Sequence, residues 1–371
     1  MAAPRLFLPR LESFRGVAAL VVATGHTVGV LLPSAEAQPV MQLLGRIFNG
    51  HAAVLVFFVL SGYVLGLSLD RPSPSGFGAQ YATYVFRRLF RIYPAFLLSV
   101  LLALAYLGWH RVEAGFPAAT PWFNQWYRQF PAPGAWRGIL SFQDIQLNNV
   151  AWTLRSEMIG SLLLPFFHRI QRRSGWGING VMLVGLLLLA RHLNNQFVAN
   201  LPLFYLGLTV PGMLASRALQ RLPSACLGVA LLGCAILTTQ ITVPLDHSWI
   251  GLVPMLGAFG LVVLVALERR SLFHWFLDLP AIRFYGRISY SLYLLHFLGL
   301  HALAVTALQW LPGAWIATHT LLLTLGLLLL SVTLVTPIAY LAWRWIELPG
   351  MELGRRMTQW GRSAAPHPPV A

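Results

Sequence analysis

The chain contains no lysine, only two cysteines and only eleven acidic residues, and each scarcity excludes something. Charged residues make up 10% of it, against roughly 25% in an ordinary soluble domain. Hydrophobic residues make up 57%, and the mean hydropathy is +0.66. A soluble globular domain is excluded, and an integral membrane protein is expected. The two cysteines, Cys226 and Cys234, lie two helical turns apart in one apolar stretch, so neither a disulfide framework nor a metal site is suggested. No paired acidic motif points to a metal-dependent glycosyltransferase, and no metal ligand is expected. No internal repeat points to an inverted-repeat transporter. The formal charge of +15 comes entirely from arginine on the basic side. These arginines flank apolar runs, which is the pattern of membrane topology and not of a phosphate-tracking surface, so no nucleic-acid partner is expected. The first apolar run starts near Phe14, has the length of a full span and lacks a small-residue cleavage site, so it is expected to stay in the membrane.

What is present is a series of apolar runs, each close to the roughly 20 residues needed to cross about 30 Å of hydrocarbon. Ten stand near 14–32, 50–68, 92–109, 152–168, 176–192, 196–215, 223–240, 248–267, 288–311 and 320–343. The expected fold is an all-α polytopic membrane bundle of about ten transmembrane helices with both termini cytoplasmic. Orientation follows from the arginines: with the N-terminus inside, the outer segments keep only Arg46, Arg111, Arg128, Arg137 and Arg191. Residues 1–356 are expected to form one transmembrane domain, and 357–371 a short disordered cytoplasmic tail. Residues 110–151 form a long external loop, rich in proline, tryptophan and glutamine, and loops of that length are often functional.

The segment "SFRGVAALVVATGH" places Arg15 and His26 eleven residues apart, about 20° past three full turns, hence on one helix face and about 16 Å apart along the axis. Arg15 falls at the cytoplasmic interface, where an arginine can simply snorkel. His26 falls inside the span, where it serves either as an interhelical hydrogen bond or as a general base. In "NNVAWTLRSEMIGSLLLP", Glu157 can reach a similar depth and orient the imidazole of His26 as a dyad; the alternative is that it pairs with Arg155 or Arg191. In "FFVLSGYVLG", Gly62 suits close helix packing and Ser61 is a candidate ligand contact. "RRLFRIYP" carries Arg87, Arg88 and Arg91 at helical spacing, suited to gripping phosphates or anionic lipid headgroups. In "RISYSLYLLHFLGLH", Tyr293 and His296 share a helix face; with Trp152 they are candidates for contacting the substrate.

Taken in order, "SFRGVAALVVATGH", "FFVLSGYVLG", "YVFRRLFRIYP", "NNVAWTLRSEMIGSLLLP", "GRISYSLYLLH" and "RWIELPGMELGRR" resemble the acyltransferase 3 family, over about residues 10–356. The resemblance implies a membrane O-acyltransferase that takes acetyl from acetyl-CoA as a cosubstrate, with no permanently bound cofactor. It gives Arg15 and His26 as the family's paired arginine and histidine, with His26 acting as general base or as transient acyl carrier, Arg87, Arg88 and Arg91 as its cytoplasmic basic motif, and Glu157 as the glutamate after its tryptophan. Leu55 departs from the family, which often carries aspartate there. The short form, without a C-terminal esterase-like domain, implies an exopolysaccharide or other envelope glycan, or a lipid-linked saccharide, as acceptor. A multi-pass location in the cell inner membrane is expected, among membrane lipids, with oligomeric and polysaccharide-assembly partners left open. The alternatives are a transporter or flippase for a lipid-linked sugar and, within the enzyme class, acylation of a small-molecule or antibiotic sugar.

Overall fold

In an apolar surround each backbone N–H and C=O must be bonded within its own segment, so long apolar runs without lipid-exposed turns have helix as their solution. The computed structural model describes residues 9–70, 76–110, 115–240, 251–267, 269 and 271–363. It is 83% helix, and no β-strand occurs among the described residues. The principal helices are α1 (Pro9–Val28), α2 (Gly50–Leu69), α3 (Phe77–Trp109), α4 (Ala151–Arg173), α5 (Trp176–Leu193), α6 (Leu201–Leu214), α7 (Ser224–Thr238), α8 (Leu252–Ala266), α9 (Pro280–Trp310), α10 (Thr320–Ala342) and α11 (Leu348–Ser363).

Each of the ten apolar runs falls on one of α1 to α10. Among the described residues six helical stretches are long and apolar enough to cross a membrane: Gln38–Leu69, Phe77–Trp109, Trp176–Leu193, Gln196–Leu214, Pro280–Trp310 and Thr320–Gln359. The other four fall short for two physical reasons. α7 and α8 have only 15 residues each, and α1 and α4 carry charged residues whose role is described below. The chain is thus a multi-pass helical membrane protein. The boundary expected at 356 lies inside α11, which runs on to Ser363 because its polar residues still make an amphipathic helix; residues 364–371 lie outside the described residues.

α1 and α9 form the central pair. Their backbones meet at two glycines: a Cβ on Gly16 would stand 2.4 Å from the Gly286 nitrogen, and one on Gly286 would stand 2.6 Å from the Glu12 carbonyl oxygen. Ten residues further along both helices, His26 meets His296. Both contacts keep the same sequence offset, which two helices can do only when they run in the same direction. A second close crossing joins α2 to α6, where a Cβ on Gly62 would lie 2.1 Å from the Phe204 carbonyl oxygen and one on Gly207 2.3 Å from that of Val59. Gly62 is therefore a packing residue, as its small size suggested.

Two apolar cores result. One joins α1, α3, α9 and α10 to buried residues of the long loop, and the other joins α2, α4, α6, α7 and α8. The loop is folded onto the bundle. Leu32 N–H donates to Ala118 O at 2.9 Å and Thr120 N–H to Val30 O at 2.9 Å, tying it to the exit of α1. Its Phe123, Tyr127 and Phe142 are buried, and Tyr127 (φ 51°) and Phe142 (φ 58°) adopt a left-handed backbone that non-glycine residues hold only when their surroundings fix it. Asn148 pins the loop's end, donating to Ser99 Oγ at 2.9 Å and Leu294 O at 3.1 Å.

Candidate active site

Where the two cores meet, five helices leave a cleft. α1 contributes Arg15, α2 Ser61, α3 Arg88 and Arg91, α4 Glu157, and α9 Tyr293. Six of the residues picked out in the sequence thus converge, although they are up to 278 positions apart, from Arg15 to Tyr293.

The polar groups are not interchangeable. Arg88 forms an ion pair with Glu157 and donates to Ser161 Oγ at 3.1 Å. Ser61 Oγ donates to the same carboxylate, 2.9 Å from Oε1 and 3.1 Å from Oε2. Arg91 forms an ion pair with Glu347, whose second oxygen accepts from Ser291 Oγ at 2.7 Å. Arg15, half-buried between these two pairs, has no carboxylate within ion-pair distance among the described residues. The cleft lining therefore carries three guanidinium groups, two of them in ion pairs, while Arg15 interacts with Glu12, Glu157 and Glu347 only at longer range. Arg87 faces elsewhere, donating through Nε to Thr358 Oγ1 of α11 at 3.0 Å on an exposed surface.

Sequence reasoning missed Glu347, which lies beyond the end of the last apolar run at 343. The chain passes from α10 into a π-helical turn, Trp343–Glu347, and π turns recur at functional sites. That turn delivers the carboxylate, 1% exposed, to Arg91 and Ser291.

The histidines lie beside the cleft and not in its lining. His26 Nδ1 is 2.9 Å from His296 Nε2, with ring centroids 5.1 Å apart and ring planes 20° from parallel. His296 Nδ1 is 2.8 Å from Tyr293 O. Tyr293 links the two regions: its hydroxyl lines the cleft's wall with Thr153 Oγ1 at 2.9 Å, and its ring lies 6.0 Å from that of His296. On the far side, the folded loop lays Trp122 5.3 Å from the His26 ring, and Phe297 stands 5.5 Å away.

A family model described as an acyltransferase domain matches residues 8–343. The chain belongs to the acyltransferase 3 family. No curated protein and no solved structure matches it.

In this acyltransferase the expected dyad of His26 and Glu157 is not formed. Glu157 is bonded to Arg88 and Ser61, while the partner of His26 is His296. The reason is electrostatic: a carboxylate inside the bundle is stabilised far more by a guanidinium than by a neutral imidazole. The other expectation for Glu157, a pair with Arg155 or Arg191, also gives way, since Arg155 lies over the Phe197 ring at 4.1 Å. Trp152 stacks on His51 at 5.6 Å and does not line the cleft. Ser61 is a carboxylate ligand within the protein, and Arg88 and Arg91 stand in the cleft already paired.

Proposed function

We propose that the protein moves an acetyl or other short acyl group from acyl-CoA to a hydroxyl of an envelope glycan or lipid-linked saccharide, in the cell inner membrane. The observation that carries this reading is the placement of Arg15 and His26 on one helix. Arg15 is a cleft-lining cation with no ion pair among the described residues, and His26 lies about three turns further along α1 in an imidazole pair.

An unpaired guanidinium in a cleft suits the phosphates of a nucleotide-bearing thioester, because it offers charge-assisted, bidentate hydrogen bonds at no cost of breaking an existing ion pair. Arg88 and Arg91, held in place by Glu157 and Glu347, add positive potential at fixed positions. The pantetheine arm is thin and apolar enough to run past Phe57 and Tyr293 beside α1. Its length matches the about 16 Å rise between Arg15 and His26. His26 then removes the proton of the acceptor hydroxyl as that oxygen attacks the thioester carbonyl carbon. Aromatic rings of the loop, Trp122 foremost, border the histidine on the side away from the cleft, where a saccharide ring can stack.

Purified protein in lipid nanodiscs, given labelled acetyl-CoA and a crude envelope glycan fraction, is expected to transfer label to the glycan. Mass spectrometry then shows the gain of one acetyl per acylated position. Neither transfer, nor hydrolysis, nor binding of acetyl-CoA by the wild-type protein would overturn the reading.

A further inference from the structure

We infer that His296 is a positioning residue that fixes the tautomer of His26, so that His26 Nε2 is the nitrogen presented to the acceptor. This rests on the acyltransferase reading and deepens it.

The hydrogen bonds of the pair determine where its protons lie, starting from a carbonyl. Tyr293 O can only accept, so the 2.8 Å contact requires a hydrogen on His296 Nδ1. A neutral imidazole carries one N–H, which leaves His296 Nε2 as an acceptor. The 2.9 Å contact between His296 Nε2 and His26 Nδ1 then requires His26 Nδ1 to donate. His26 is left with a lone pair on Nε2. No group among the described residues hydrogen-bonds to that nitrogen, and His26 is only half-buried, whereas His296 is 3% exposed.

The chain Tyr293 O, His296, His26 has the logic of an oriented base, in which the far partner determines which nitrogen carries the proton. Its difference from a carboxylate-backed histidine is that the orienting group is neutral. A carboxylate would stabilise imidazolium strongly, whereas a neutral imidazole chiefly selects tautomer and ring angle. The parallel register of α1 and α9 supports the pair mechanically. Locked at Gly16 and Gly286, the two helices reach His26 and His296 after the same ten residues. The two rings, with planes 20° from parallel, are further hemmed by Phe297 and Trp122.

The step balances as follows. The acceptor O–H proton passes to His26 Nε2 while the oxygen lone pair forms a bond to the thioester carbonyl carbon. The resulting imidazolium keeps its Nδ1–H directed at His296 Nε2. Collapse of the tetrahedral intermediate breaks the C–S bond, and the Nε2 proton goes to the departing sulfur. The products are the O-acyl ester and free CoA thiol, with His26 restored to its starting tautomer.

The test compares His296→Leu with His296→Gln in full-length protein in nanodiscs, measuring acetyl-CoA binding, kcat and KM for acetyl transfer. Leucine removes the acceptor, whereas glutamine carries an amide oxygen near the position of Nε2. His296→Leu is expected to bind acetyl-CoA with KM within about threefold of wild type and to lose about 100-fold in kcat. His296→Gln is expected to recover most of that loss. Two results overturn the inference: kcat of His296→Leu within about threefold of wild type, or both variants equally impaired while both bind acetyl-CoA normally. Either leaves the acyltransferase reading standing if wild type transfers acetyl and His26→Ala does not. Failure of wild type to transfer acetyl at all sinks that reading instead.

Discussion

Arg15 and Glu157 show how differently the chemistry of a residue and its partner can be read. Among the described residues the Arg15 guanidinium has no carboxylate within ion-pair distance, so a ligand can bond it without breaking an ion pair. Arg15→Gln is expected to raise KM for acetyl-CoA by about 10- to 100-fold, the equivalent of one charge-assisted hydrogen bond, with kcat nearly unchanged. Steady-state kinetics over a range of acetyl-CoA concentrations checks this, and a fall in kcat at constant KM would count against it. Glu157 is paired to Arg88. Glu157→Gln strands a guanidinium with 14% exposure and is expected to cost about 3 kcal/mol of stability, while Arg88→Gln with Glu157→Gln recovers part of it. Thermal unfolding of the two single variants and the double variant gives that cycle. Strict additivity would show that the pair carries no coupling. The identity of Glu157 as a buried functional-looking acid was legible from its place in an apolar run. Its partner was not, because hydropathy gives depth along a helix but not which neighbour that face meets. His26 and Glu157 were expected at one depth, yet Glu157 lines the cleft with Arg15 while His26 pairs with His296 outside its lining.

At the scale of elements, the α1–α9 pair places the imidazoles. Glycine at 16 and 286 lets the backbones approach where any side chain would clash with main chain. Gly286→Leu is expected to force the helices apart, reduce folded yield in detergent, and lower kcat in whatever folds; normal yield with normal kcat would mean that the crossing does not set the His26 and His296 contact. The sequence carried a sign of this register: "GVAALVVATGH" and "GRISYSLYLLH" each place histidine ten residues after glycine. Separately, each reads as a span with one polar residue. Only the fold makes the two patterns a matched pair.

The α1 start is clasped from outside the bundle. Arg10 donates through Nε at 3.1 Å and Nη2 at 2.8 Å to Asp278 Oδ2, and Arg283 donates to Oδ1 at 2.9 Å. The Arg10 guanidinium, helped by Arg283, holds the Asp278 carboxyl below the usual carboxylate range against a smaller opposing effect of burial. A carboxyl depressed in the folded state contributes stability that is fully present above its unfolded value and lost as pH falls through the folded value. Asp278→Asn is therefore expected to lower Tm at pH 7, with the difference from wild type shrinking only below about pH 4. Melting curves at pH 7, 5 and 3.5 test this; a difference that vanishes already at pH 5 would contradict it.

Over the whole molecule, composition and apolar runs made the helical membrane architecture legible, and the six motifs made the family legible. What they left out is what crosses between elements: the loop folded down onto α9, the π turn that brings Glu347 to Arg91, and the cleft between two cores. These are long-range products of packing, without a local periodicity to announce them. Together they divide the molecule into a cationic cleft that suits a thioester's nucleotide end and an imidazole pair bordered by loop aromatics that suits an acceptor hydroxyl. On the proposed mechanism, binding and proton transfer are separated along α1. Acetyl-CoA affinity and acetyl-transfer rate measured in His26→Ala test this. The dissociation constant is expected to stay within about threefold of wild type and the rate to fall by about 100- to 10,000-fold. Transfer at the wild-type rate by His26→Ala would contradict it.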